Sequence, residues 1–328
     1  SFVSRVVKEG FFVMSVEQAS IECPQTGARA DILVGFGFNC FKYVTTTGGR
    51  PHDVLWSAPK FADGGERPSH SGIPLLFPYP GRLRGTTLSY GGRTFPLEGN
   101  DGRGNAIHGY VLNRPWSVVE HGASRIVGRF RASERDPTIL SKWPADFILT
   151  VSYEFEAGAL RSRITIENPD ERPLPFGFGS HPYFRVPLGS EGSAGGCVVR
   201  VPVRRYWELV DMLPSGKKLT ADGARGLAVG MKFADTKLDD VFTDVEFQAG
   251  FAAATIDDPA AGRRLTVEFD DKFTQCVVYN PPHREASCIE PYTCLPDQFA
   301  MAERGVIESP DVLPPGGRFE CGYVIRID

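Results

Sequence analysis

The chain has 328 residues, 41 % of them apolar, and a formal charge of −4. That length and apolar fraction admit one large domain or two smaller ones with a sizeable core. The mild charge gives no electrostatic footprint for nucleic acid or an anionic membrane, and no apolar run approaches the roughly eighteen residues of a membrane span.

The N-terminal stretch SFVSRVVKEGFFVMSVEQAS carries basic residues, but Lys8, Glu9 and Glu17 interrupt any apolar run, so it lacks the core of a signal peptide. The first residue is Ser, which leaves a removed leader open. Seven cysteines, at 23, 40, 197, 276, 288, 294 and 321, form no C-x-x-C pair. The simplest expectation is reduced, mostly buried thiols in a cytoplasmic protein, as either a monomer or a homodimer. The absence of an N-x-[ST] acceptor agrees with that location.

Glycine (36) and proline (26) together make up roughly a fifth of the chain, leaving little room for helices of ordinary length. In chain order, the first chemically promising stretch is GIPLLFPYPGRLRG (72–85), in which Arg82 follows a Pro-Gly turn. GNAIHGYVLNRPW (104–116) comes next and places His108 before a glycine in a tight, partly buried turn. Phe147, Leu149, Val151, Tyr153 and Phe155 then alternate with polar residues, and Leu160, Ile164 and Ile166 continue the period of two that marks strands. GFGSHPYFRVP (177–187) holds His181 in an extended conformation before a proline. KLDDVF (237–242) places Asp239 and Asp240 at a strand start, facing opposite ways. Strand periodicity returns in Leu265-Val267-Phe269 and in Cys321-Tyr323-Ile325-Ile327. Between these two lies ASCIEPYTCLPDQF (286–299), where Glu290 sits in apolar company; burial there would be costly and would raise its pKa toward that of a useful general base. Glu98, Asp101 and Asp211 lie in polar, turn-rich surroundings and read as surface. The turn clusters ADGGERPSHSG, GNDGRGN, NPDERP, PLGSEGSAGG and LPPGG separate the strands. With no repeat and no evident linker, the expectation is one all-β domain over 1–328. It would be a large antiparallel β-sandwich with few short helices and its functional groups on connecting loops.

Familiar cofactor motifs fail. GFGFNC and GFGSHP lack the third glycine of a dinucleotide fingerprint, and there is no P-loop lysine or serine-hydrolase elbow. The six histidines show no H-x-H or H-E-x-x-H spacing, so no metal and no cofactor are called for, although a metal site assembled from distant loops stays open.

Together these stretches resemble the aldose 1-epimerase (galactose mutarotase) family of β-supersandwich proteins, and the likeness runs through most of the chain. FPYPGR resembles the family's proline-rich segment with a substrate-contacting arginine, which implies that role for Arg82. NAIHGYVLNRPW is similar to its His-Gly segment, implying an active-site His108. SHPYF is similar to its most recognisable signature and implies His181 as general acid. LDDVF implies Asp239 as the aspartate that contacts sugar hydroxyls, with Asp240 the fallback. CIEPYTCLPDQF implies Glu290 as general base.

Two positions depart from the pattern: Tyr292 stands where Gln is common, and Arg185 where Asn is common. Both were expected to bear on substrate choice. The resemblance thus implies interconversion of sugar anomers by acid/base ring opening, with a small sugar as partner and no cofactor. Three alternatives remain beside it: a sugar-binding protein on the same scaffold, a carbohydrate lyase or hydrolase, and a hexose-6-phosphate 1-epimerase using Arg82, Arg84 and Arg185. A hydrolase would need two carboxylates across the scissile bond, and only Glu290 has the apolar surroundings.

Overall fold

The computed structural model describes residues 16–47, 50–99 and 101–328. The stretch weighed above as a leader lies mostly outside them. The period-two runs fold as strands Ile148–Glu156, Ala159–Glu167, Arg263–Asp270 and Arg318–Ile327. These four lie at the centre of a nine-stranded antiparallel sheet. Their register sets apolar residues opposite one another, Leu149 against Ile166, Leu160 against Ile325, and Ile325 against Val267. Each alternation therefore buries one continuous face.

A second antiparallel sheet, of eight strands, shares this core: Phe242, Cys276, Val278 and Ile289 from it cluster with Val151, Ile164, Val267 and Ile325 from the first. A buried hydrogen bond from Ser180 Oγ to Tyr323 Oη, 2.9 Å, ties the two sheets. A four-stranded sheet, Gln18–Glu22 to Arg50–Asp53, adds Ala30, Ile32 and Tyr43 to the same core. Among the described residues there are two short α-helices, Ala132–Arg135 and Gln298–Glu303, and no helix is long and apolar enough to cross a membrane. All seven cysteines are buried and unpaired, as expected.

The strands that matter for function are three neighbours in the eight-stranded sheet: Asp239–Val245, Gln275–Tyr279 and Ala286–Tyr292. Alternation turns Ile289, Val278 and Phe242 into the sandwich core. It turns Cys288, Glu290 and Tyr292 to the outer face, with Val277 and Tyr279 beside them and Asp239 and Val241 beyond. The outer face is covered by connecting segments, one of which is pinned at Gly109. Its N–H neighbour Tyr110 donates to the Phe77 carbonyl at 2.8 Å, and Gly109 itself sits at φ +70°. A Cβ there would stand 2.0 Å from the Phe77 oxygen. Gly109→Ala therefore combines left-handed strain with a backbone clash and is expected to destabilise by at least about 3 kcal/mol. Urea unfolding of the variant checks this; a loss under about 1 kcal/mol would mean that the crossing relaxes freely.

Candidate active site

A cavity of about 460 Å³ opens on this outer face, within the size range of small-molecule sites. Its floor is the sheet: Asp239 and Val241, Val277 and Tyr279, Glu290 and Tyr292. Its walls are the segments before and after: Arg67 to His70, Gly81 and Arg82, Glu98 and Asp101, Ile107 to Gly109, His181 and Tyr183. Five of the six residues singled out in the sequence, Arg82, His108, His181, Asp239 and Glu290, thus converge on one cavity from segments more than 200 positions apart.

Glu290 and His181 face each other directly. Glu290 Oε1 lies 3.3 Å from His181 Nδ1, yet the two are not aligned as a hydrogen bond, and each atom is buried without another partner. The other carboxyl oxygen accepts from Tyr292 Oη at 2.8 Å. Burial raises the Glu290 carboxyl well above its ordinary range, with the Tyr292 bond opposing. Burial likewise pulls His181 down to about 3. Both directions favour the uncharged forms in the empty cavity, a carboxylic acid beside a neutral imidazole. The His181 ring is stacked on Tyr183, centroids 4.9 Å apart and planes within 4°. Tyr183 is in turn fixed by donating to the Ser69 carbonyl at 3.0 Å.

His108 reaches the cavity from a left-handed turn, φ +66°, with its N–H donating to the Gly81 carbonyl. Its ring meets that of His181 edge-on at 5.7 Å. Nδ1 of His108 is buried and unpartnered, and burial first, then the neighbouring His181, holds the ring well below its ordinary pKa. The cavity therefore presents neutral hydrogen-bonding nitrogens.

Arg82 is held by Asp101, Nε to Oδ2 at 3.1 Å. Asp101 was expected at the surface, but its side chain is fully buried and it lines the cavity, as does Glu98. The reason is local. Burial alone would raise the Asp101 carboxyl, but N–H groups of Asn105 and Arg103, the Asn105 amide and Arg82 bring it down to about 2. The turn folds around its own aspartate, which anchors the arginine. Asp297 anchors the same segment from the other side. Its N–H donates to the Arg82 carbonyl and its carboxylate accepts from the Arg84 N–H.

Asp239 opens into the cavity, and the surrounding walls raise its carboxyl above the ordinary range by desolvation despite the attraction of Arg82. Asp240, the fallback, is withdrawn from the site: alternation turns it to the opposite face, where it is buried and pairs with Arg225 at 2.8 Å. Arg185 also stays outside the cavity walls, so of the two departures from the family pattern only Tyr292 meets the site. The alternation that carries Glu290 outward also marks Cys288 and Tyr292, a signal available from the sequence. Tyr279, Arg67 and His70 carried no comparable signal.

The antiparallel β-sandwich is a galactose mutarotase-like fold. The chain belongs to the aldose 1-epimerase family, whose model matches residues 43–325. Solved structures agree in fold. A galactose mutarotase-like protein from Clostridium acetobutylicum superposes with a TM-score of 0.81 at 20 % identity, covering 96 % of this chain and 99 % of that one. An aldose epimerase homologue from C. elegans gives 0.78 at 17 %, with 95 % and 98 % covered. A galactose 1-epimerase from Lactobacillus acidophilus gives 0.70 at 16 %, with 96 % and 99 % covered.

The buried carboxyl makes a stability prediction. A folded-state pKa raised above the unfolded value means that the folded protein keeps a proton which the unfolded chain releases above about pH 4.5. Glu290 therefore favours unfolding increasingly as pH rises from there toward its folded pKa. Glu290→Gln, uncharged and of equal size, should raise Tm relative to the parent by a margin that widens with pH across that window. A pH series of thermal melts with a constant difference would show that Glu290 is not held protonated.

Proposed function

We propose that the protein is an aldose 1-epimerase in activity as well as in family, interconverting the α and β anomers of a free, unphosphorylated aldose. The observation that carries this reading is the pair of buried, otherwise unpartnered atoms, Glu290 Oε1 and His181 Nδ1, 3.3 Å apart on the wall of a sugar-sized cavity. A protein that only bound sugar would have no use for two buried titratable groups left unsatisfied toward each other, each of which costs folding free energy.

In this reading Glu290, as carboxylate, takes the proton of the C1 hydroxyl while His181, as imidazolium, delivers one to the ring oxygen. The C1 to ring-oxygen bond breaks and an open-chain aldehyde forms. The pair is then a carboxylic acid and a neutral imidazole, which are the forms burial favours. After rotation about C1–C2 the same two groups run backwards: Glu290 returns a proton to the aldehyde oxygen and His181 accepts one from the ring hydroxyl. The pair holds one proton throughout, and each transfer contributes about 10² to 10⁴ in rate. His108 offers a neutral hydrogen bond to a sugar oxygen. Arg82, braced by Asp101, and Asp239 hold the remaining hydroxyls still while C1 turns.

The phosphorylated-sugar alternative is the weaker one. Of its three arginines, Arg84 pairs with Asp297 and Arg185 is outside the cavity walls. Arg82 already has its carboxylate.

Exchange NMR or polarimetry on freshly dissolved α-anomers tests the reading; no acceleration for any free aldose would overturn it. Glu290→Gln should lower turnover by about 10² to 10⁴ while sugar binding stays measurable. The pH–rate profile should be bell-shaped. Its acid limb should lie below the ordinary imidazole range, where the pair takes a second proton, and its alkaline limb above the ordinary carboxylate range, where it loses its last. Tyr292→Phe removes a bond that favours the ionised carboxyl, so it should move the alkaline limb to higher pH. An unmoved limb would exclude Tyr292 from tuning Glu290.

A further inference from the structure

One buried group on the cavity face has no part in the chemistry above. Cys288 stands two residues before Glu290 on the same strand and faces the same way, fully buried beneath Tyr183. Its sulfur, His181 nitrogen and a Glu290 oxygen all lie within 4.8 Å of one another. We propose that His181, Cys288 and Glu290 form a binding site for a divalent ion of the zinc class, and that its occupancy switches the acid/base pair off.

The donor set argues for that class. Thiolate, imidazole and carboxylate are the ligands that zinc takes together, whereas magnesium and calcium call for oxygen alone. The distances argue likewise. Zinc bonds of about 2.0–2.1 Å to nitrogen and oxygen at a tetrahedral angle span an edge of about 3.3 Å, and the His181 to Glu290 separation is 3.3 Å. With a zinc–sulfur bond of about 2.3 Å the edges to sulfur should be about 3.5 Å, so the Cys288 sulfur needs to move inward by little more than about 1 Å.

Two of the three donors, His181 Nδ1 and Glu290 Oε1, are buried atoms that have no hydrogen-bond partner. An ion would satisfy both at once, with the fourth coordination position open to the cavity for water. Glu290 and His181 line the cavity, which gives the ion its way in. Coordination needs thiolate, carboxylate and neutral imidazole, so the thiol proton and the proton shared by the pair leave to solvent. A metallated pair has no proton to move.

Cobalt(II) is the probe for the site, because thiolate ligation gives a sulfur-to-cobalt charge-transfer band that other ligands do not. The wild-type protein should take up one cobalt with this band, and excess of a free aldose should weaken uptake. Cys288→Ala should lose the band and bind at least about 100-fold more weakly, since even outer-sphere changes cost 10- to 100-fold. Cys276→Ala, which removes a core-facing thiol on the adjacent strand, should keep the band. Zinc should inhibit the wild-type mutarotation, and Cys288→Ala should keep the metal-free rate while losing most of that sensitivity. No band in the wild type or a band surviving in Cys288→Ala would overturn the site. Inhibition unchanged in Cys288→Ala would overturn the switch. The spectral arm needs no turnover, so it decides the metal site even if the epimerase reading fails. Cys288→Ser, closer in size to the parent, repeats the test if the alanine variant folds poorly.

Discussion

The site depends on how a single strand divides its side chains. Over Ala286–Tyr292 every residue is buried, but the burial is of two kinds. Ile289 fills the sandwich core, while Cys288, Glu290 and Tyr292 lie under the cavity. A carboxyl group in that position has lost its water without gaining a cation in contact. The cost of ionising it is therefore high: Tyr292 and His181 are its neighbours, and Arg82 acts on it only through space. Because the strand is central in its sheet, neither neighbour can shift to relieve the strain. The price of the site is thus set by the sheet and offset by the large core on its other face.

The sheet floor and the looped walls fix their groups in different ways. The floor fixes Glu290 and Asp239 through register: Val241, Val277 and Glu290 are cross-strand partners in a row, as are Asp239, Tyr279 and Cys288. Spacings set by hydrogen-bonded ladders are hard to alter. The walls fix Arg82 and His108 through local polar bonds that fold a turn onto itself, the Asp101–Asn105 turn being the clearest case. On the proposed chemistry each duty draws on both: Glu290 on the floor and His181 on the wall move protons, while Asp239 on the floor and Arg82 on the wall hold hydroxyls. Tyr292 belongs to the floor. Its ring packs against Gly179, where a Cβ would stand 2.7 Å from it.

Much of this was legible beforehand, for physical reasons. Period-two alternation located the four central strands of the larger sheet because one buried face forces it. Glu290 stood out because a carboxylate between Cys288, Ile289 and Pro291 conflicts with its surroundings, and such conflicts concentrate where a protein does chemistry. Asp101 was misread because its neighbours are polar and turn-forming. Those are the groups that bury an aspartate when the turn closes around it, so local polarity pointed the wrong way. Asp239 and Asp240 could not be told apart because alternation says that they diverge without saying which way. Tyr279, Arg67 and His70 reach the cavity through long-range packing that no local pattern encodes. The four-stranded sheet at the N-terminal side went unpredicted because its strands carry no long alternating run.

The protonation preferences of the pair also bear on the barrier of the proposed reaction. A catalyst leaves the balance between the two anomers unchanged and only lowers the barrier between them. A pair sharing one proton does so best when its ionised and neutral arrangements are close in energy with sugar bound. Desolvation alone favours the neutral arrangement, as the opposite shifts of Glu290 and His181 indicate. The compensating charge has to come from outside the pair, and Arg82 is the cation that acts on Glu290, lowering its pKa through space. Its influence is moderated by Asp101, which takes up part of that charge. Bound hydroxyls would add dipoles beside the pair, again favouring the ionised form. The arginine on the wall would then act on the proton balance of the floor as well as on the sugar's position, through its field across the buried pair.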